Sequence, residues 1–141
     1  MAPGTSTQPL RRPAVVRAAW WWGPVVVYAA VIFIASSIGQ PPSLPQIMTD
    51  KELHGGLYAG FGLVVLRALA RRWERVTLLT MLGAIVVAVL YGISDEFHQS
   101  FVPGRTSDVA DVVADGTGAT VAVGIAWLVA RFGRGGASAR I

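Results

Sequence analysis

The chain has 141 residues, of which 53% are hydrophobic and only 14% charged, with a formal net charge of +4 and no cysteine. The length leaves room for one domain, and the apolar residues come in blocks long enough to cross a bilayer, which excludes an ordinary soluble core and predicts an all-α, integral membrane four-helix bundle. The absence of cysteine excludes disulfides, iron–sulfur clusters, thiolate-bound zinc and a cysteine nucleophile.

In chain order, residues 1–19 are expected to form a basic cytoplasmic tail, 20–131 the transmembrane domain and 132–141 a disordered cytoplasmic tail. The first span runs from about Trp20 to Ile38, and the Gly39-Gln40-Pro41-Pro42-Ser43-Leu44-Pro45 stretch ends it, since proline cannot continue a helix. Its apolar stretch of about 19 residues exceeds the roughly 7–15 of a signal-peptide core, so a retained helix is expected. Trp20, Trp21 and Trp22 read as an interfacial anchor. The second span extends from about Lys51 to Ala70 and is closed by the basic run Arg71-Arg72-Trp73-Glu74-Arg75. The third, from Val76 to about Ser94, gives way to a polar segment, Asp95-Glu96-Phe97-His98-Gln99-Ser100, and then to the turn signal Pro103-Gly104. This polar segment is expected to form an extracytoplasmic hairpin or to re-enter the membrane between helices three and four. The fourth span goes from about Asp108 to Ala130.

Ten of the twelve basic residues flank the spans on one side, leaving Lys51 and Arg105 on the other. By the positive-inside rule both termini are cytoplasmic. The arginines are thereby explained by topology and anionic lipid, and no nucleic-acid partner is expected. Three polar stripes then share the outer face: Asp50, His54 and Tyr58; Tyr91, Asp95 and His98; Asp108, Asp111 and Asp115. Each spacing keeps its members on one side of a helix. A carboxylate facing lipid costs about 2.5–3.5 kcal/mol near mid-membrane, so the stripes should converge on one another or on a wet pocket. Gly56 and Gly60, with Gly116, Gly118 and Ala119, allow close helix approach at that level.

Asp50-Lys51-Glu52-Leu53-His54 with Tyr58, then Glu96, Gln99, Pro103-Gly104-Arg105, then Asp111 and Asp115-Gly116, together resemble the pattern of VanZ-like membrane proteins. The resemblance covers about Trp20 to Ala130. It implies a small multi-pass protein of the bacterial plasma membrane, with a founding relative linked to resistance to the glycopeptide teicoplanin, and it brings no catalytic mechanism. Gly55 and Gly56 depart from the pattern, where a bulky residue is common, and predict looser packing at that end of span two.

Three readings follow. In the first, an outer-face pocket recognises an anionic lipid or a lipid-linked cell-wall precursor, with Lys51 and Arg105 neutralising the ligand and Glu96, Gln99, Asp111, Asp50, Asp115 and Tyr58 completing the site. In the second, a membrane enzyme acts on a lipid-linked substrate, with His54 or His98 as base and Asp95 or Glu96 as its orienting carboxylate. An ion-coupled carrier using Asp111 and Asp115 is the third. The bland alternative for Glu96, Gln99 and Arg105 is a charge-assisted network that pins the hairpin and needs no substrate. No spacing is of the H-E-x-x-H type that sets two ligands on one helical face, so no metal or other cofactor is expected.

Overall fold

The computed structural model describes residues 13–39 and 49–133. The expected Pro-rich break after span one, most of the N-terminal tail and most of the C-terminal tail lie outside the described residues. Within them the chain folds as four helices, α1 (Ala14–Ser37), α2 (Asp50–Ala70), α3 (Leu78–Gln99) and α4 (Val109–Phe132), with a short 3-10 turn at Trp73–Arg75. All four are long and apolar enough to cross a membrane. Large apolar side chains such as Leu79, Val113, Val121 and Phe132 point outward, as lipid-facing positions require.

Local chemistry sets the helix ends. Thr49 caps α2 by a reciprocal pair, its hydroxyl accepting from the Glu52 amide at 3.3 Å while Glu52 accepts from the Thr49 amide at 2.8 Å. Thr77 and Thr80 form the same arrangement at the start of α3, and Asp108 Oδ1 accepts from the Ala110 amide at 2.9 Å to start α4. Each cap satisfies amides that have no partner within the helix. Pro13 precedes α1, and Pro24 lies inside it. Pro24 has no N–H for the carbonyl four residues back, that of Trp20, and Arg67 on α2 donates to this carbonyl at 3.5 Å. The same guanidinium lies 4.9 Å from the Trp21 ring centroid, so the expected tryptophan anchor also packs against an arginine.

Two boundaries differ from the sequence reading by more than a turn. α1 reaches back to Ala14, because Ala14-Val15-Val16-Arg17-Ala18-Ala19 contains no helix breaker. α3 continues past Ser94 to Gln99 for the same reason: nothing before Pro103 interrupts it. Asp95, Glu96, His98 and Gln99 are therefore helical. The connection to α4 is confined to residues 100–107, which begin with turns from Phe101 to His98 and from Val102 to Gln99 and pass through Gly104 at φ +82°.

α2 lies at the centre, packed most extensively on α4 and then on α3, while α1 lies against α2 and α3. Small residues make the α2–α4 seam. A β-carbon placed on Gly118 would run into the backbone of Gly55, and one on Gly62 would stand 3.0 Å from Val123 and 3.2 Å from Ala119. Gly55, expected to loosen this end of α2, is thus where α4 approaches most closely. Gly56, expected at the contact, meets nothing within 4 Å. The register explains the exchange, since neighbouring helix positions differ by about 100°.

An aromatic cluster of Tyr28, Tyr58, Phe61 and Tyr91 ties α1 to α2 and α3, with the Phe61 and Tyr91 centroids 5.0 Å apart. Tyr91 donates its hydroxyl to the Ala29 carbonyl of α1 at 2.7 Å, and Tyr28 donates to the Leu57 carbonyl at 3.1 Å. Tyr91→Phe removes one such bond and nothing else. It should lower stability by about 1 kcal/mol, read as a small drop in unfolding midpoint in detergent.

Candidate functional site

Antiparallel packing brings the start of α2, the end of α3, the start of α4 and the end of α1 to one end of the bundle. The polar stripes meet there. His54, Asp95, Glu96, Gln99, Asp111 and Asp115 are all buried, and Asp115 is 0% exposed.

His54 Nδ1 stands 3.1 Å from Asp115 Oδ1. An ionised Asp115 only accepts, so the shared proton belongs on Nδ1 and the carboxylate fixes both ring orientation and tautomer. Gly92 on α3 makes this possible, since a β-carbon there would lie 2.8 Å from Asp115 Oδ2. Gly92 escaped the sequence reading because a lone glycine within an apolar span carries no signal of its own.

Towards the rim, Lys51 donates to Asp108 Oδ2 at 3.0 Å and to Asp111 Oδ1 at 3.2 Å. Asp108, just outside α4, is held below the usual carboxylate range, first by the Ala110 amide and then by Lys51. Glu96 Oε2 accepts from the Asp108 amide at 2.9 Å, linking α3 to the first turn of α4. His54, Glu96 and Asp111, from three different helices, each present a nitrogen or oxygen within 4.8 Å of the other two.

Asp95 and Gln99 form a separate pair one turn apart, with Gln99 Nε2 donating to Asp95 Oδ2 at 3.2 Å. Four buried oxygens have no hydrogen-bond partner among the described residues: Tyr58 Oη, Asp95 Oδ1, Glu96 Oε1 and Asp115 Oδ2. Tyr58 shares its stripe with His54, whose ring turns to Asp115 instead.

Arg105 reaches across to α1, donating from Nε to the Ile38 carbonyl at 3.2 Å and from Nη2 to the Ala35 carbonyl at 3.3 Å. Both carbonyls lie at the C-terminal end of α1, that of Ala35 also accepting from the Ile38 amide at 3.3 Å, and a cation is suited to them by charge as well as by hydrogen bonding. Glu96, Gln99 and Arg105 therefore do not make a single network, because each takes a partner of its own. His98 sits apart from His54, stacked on Phe33 of α1 with centroids 4.3 Å apart and with Nε2 2.9 Å from Ser37 Oγ. It fastens α3 to α1. The side chain of Asp50 lies outside the described part of the structure.

A cavity of about 50 Å³ opens between α1, α2 and α3, lined by Ser36, His54, Tyr58, Asp95, Gln99 and Arg105 among apolar neighbours. A larger apolar groove of about 330 Å³ lies at the opposite, basic end beside Trp21, Arg67, Arg71, Arg72 and Trp73, away from every candidate site residue. Asp111 and Asp115 occupy the first two turns of α4. Asp115 is about 9 Å from the start of that helix at about 1.5 Å per residue.

A protein of the fission yeast Schizosaccharomyces pombe, itself described only as uncharacterized, is 32% identical over 96 residues, covering 68% of this chain. The aligned region amounts to 57% of that relative's length, so this chain spans little more than half of it. No solved structure matches. Residues 47–130 match the VanZ/LLP1 family, a stretch that starts ahead of α2, takes in the whole polar cluster and leaves out α1. The chain belongs to the VanZ/LLP1 family.

Proposed function

We propose that this protein binds the headgroup of an anionic, phosphate-bearing lipid at the polar end of the bundle, the lipid being either a membrane phospholipid or a lipid-linked cell-wall precursor. The observation that carries the reading is the pair of unpartnered oxygens, Tyr58 Oη and Asp95 Oδ1, on residues that line the cavity beside Arg105. A buried polar atom left without a hydrogen bond costs about 1–3 kcal/mol. Two of them beside one cavity are explained by a ligand, or water in its absence, that completes them.

Arg105 keeps guanidinium N–H groups beyond the two it gives to α1, and these would meet the phosphate. Tyr58 and Asp95 would take headgroup hydroxyls, which suit a carboxylate acceptor. A volume of about 50 Å³ holds a hydroxyl-bearing fragment and not a glycopeptide. Any link to teicoplanin would therefore run through a lipid-linked precursor and not through the drug seated in the cavity. The arginine asymmetry supports cytoplasmic termini with the acidic end on the outer side of a plasma membrane, bacterial in the proposed assignment. The fission yeast relative favours a headgroup that is not confined to bacteria.

Native mass spectrometry of detergent-purified protein with phosphatidylglycerol, a lipid-linked cell-wall precursor or phosphatidylcholine tests this. One of the two anionic lipids should be retained, and the preferred one names the source. Tyr58→Phe should weaken retention several-fold and Arg105→Ala about tenfold, near 1.4 kcal/mol. Equal retention of phosphatidylcholine, or no effect of Tyr58→Phe, would overturn it.

One observation favours the second reading, an enzyme acting on a lipid-linked substrate: the His54–Asp115 pair has the geometry of a general base with its orienting carboxylate. His98 has no such carboxylate at hydrogen-bond distance among the described residues. Headgroup release by purified protein that His54→Gln abolishes and His98→Ala spares would establish it.

A further inference from the structure

The geometry points to a divalent metal site formed by His54 of α2, Glu96 of α3 and Asp111 of α4, suited to zinc or manganese. Their donor atoms lie within 4.8 Å of one another, and all three residues are buried. Zinc–ligand distances of about 2.0–2.2 Å bring donors to roughly 3–4 Å from one another, a closure that small side-chain rotations supply.

Three further features support a cation here. First, each candidate ligand is already held on one atom by an outer partner: His54 Nδ1 by Asp115, Glu96 Oε2 by the Asp108 amide, and Asp111 Oδ1 by Lys51. Metal ligands are characteristically oriented in this way, with the carboxylate–histidine pair as the usual form for an imidazole. In this arrangement the metal would bind one imidazole nitrogen of His54 and one carboxylate oxygen each of Glu96 and Asp111. Second, Glu96 is only 4% exposed, and its Oε1 has no hydrogen-bond partner within 3.5 Å among the described residues, although the Ser107 hydroxyl also faces this carboxylate. Lys51 is the sole ammonium at this end, half-exposed and bonded to Asp108 and Asp111. A buried carboxylate oxygen without a donor is what a cation would satisfy. Third, one neutral imidazole and two carboxylates balance a divalent charge, and the donor set suits zinc or manganese better than a soft ion. Three protein ligands leave open positions for water or a ligand oxygen.

Sequence spacing concealed this site because each helix gives one ligand. The inference rests on other observations than the lipid reading, since it uses neither Tyr58 nor Asp95 and shares only His54 with the cavity lining.

The test uses the full chain in detergent without added lipid, stripped with EDTA and then titrated with zinc chloride or manganese chloride. Bound metal per chain is counted by plasma mass spectrometry after desalting, and affinity is read by chelator competition. About one metal per chain is expected from a three-ligand site. Glu96→Gln and His54→Gln should weaken binding by more than about 100-fold and Asp115→Asn by about 10- to 100-fold, as loss of an outer partner does. Tyr58→Phe, which disturbs only the cavity, should leave metal affinity unchanged, and this separates failure of the metal site from failure of the lipid proposal. Wild-type protein that takes up no zinc or manganese above a buffer blank, or a folded Glu96→Gln variant that binds as wild type does, overturns the site. Should the variants fail to fold, cobalt(II) added to wild type decides: visible d–d bands that zinc chloride abolishes are expected, and their absence overturns the proposal.

Discussion

Gly118→Val is expected to be the most damaging single substitution in the chain. Even the β-carbon of a side chain at this position would run into the Gly55 backbone on α2. No rotamer change can relieve a clash with main chain, so the helices must separate along the seam that makes the largest contact in the bundle. Overpacking costs about 1–3 kcal/mol where side chains can yield, and the upper end or beyond is expected here. The measurement is the unfolding midpoint in detergent together with the yield of monodisperse protein. Gly124→Ala is the control, because a β-carbon there meets nothing within 4 Å. It should be neutral or gain up to about 1 kcal/mol from helix propensity. A Gly118→Val protein that unfolds at the wild-type midpoint would mean that α2 and α4 do not pack as described.

The second large effect is expected at Asp115. Asp115→Ala leaves the buried His54 Nδ1–H without its acceptor, and hydrogen bonds to charged groups contribute about 1.5–3 kcal/mol. Removing a carboxylate with one unsatisfied oxygen offsets part of this, because burying that charge is itself costly. A net loss of about 2 kcal/mol is expected, in the range of the hydrogen bond itself. Asp115→Asn keeps an acceptor and should lose less. Combining Asp115→Leu with His54→Phe removes both polar partners and should restore part of the stability of the single variants, the signature of a coupled pair. Additive losses across that cycle would show that the two side chains do not interact.

Much of this was legible in the sequence, for reasons that differ from residue to residue. Span length and hydropathy are local properties, so the four helices were read directly, apart from ends such as Ala14 and Gln99 where no breaker marks the boundary. Burial of His54, Asp95, Asp111 and Asp115 followed from the expense of ionisable groups facing lipid. Partner choice was not legible. Whether Glu96 meets Arg105 or the Asp108 amide depends on helix rotation and on where a loop closes, and neither leaves a mark in spacing. The reading treated Arg105 and Gln99 as ligand or network groups because a charged or amide side chain advertises its chemistry. The carbonyls of Ala35 and Ile38 are main chain and cannot be seen in any residue pattern. Gly55 was misread for the opposite reason: a missing side chain looked like slack when it marked an intimate contact.

Tyr91 and Arg105 both grip α1 through its peptide oxygens, at Ala29, Ala35 and Ile38. Such a grip is blind to side-chain identity, so the outermost helix can be rewritten at those positions without losing its mooring. Ile32, Ala35 and Ser36 on that helix wall the cavity. Under the proposed lipid binding, exchange of α1 residues would therefore retune which headgroup fits while the acidic cluster on the other three helices stays as it is.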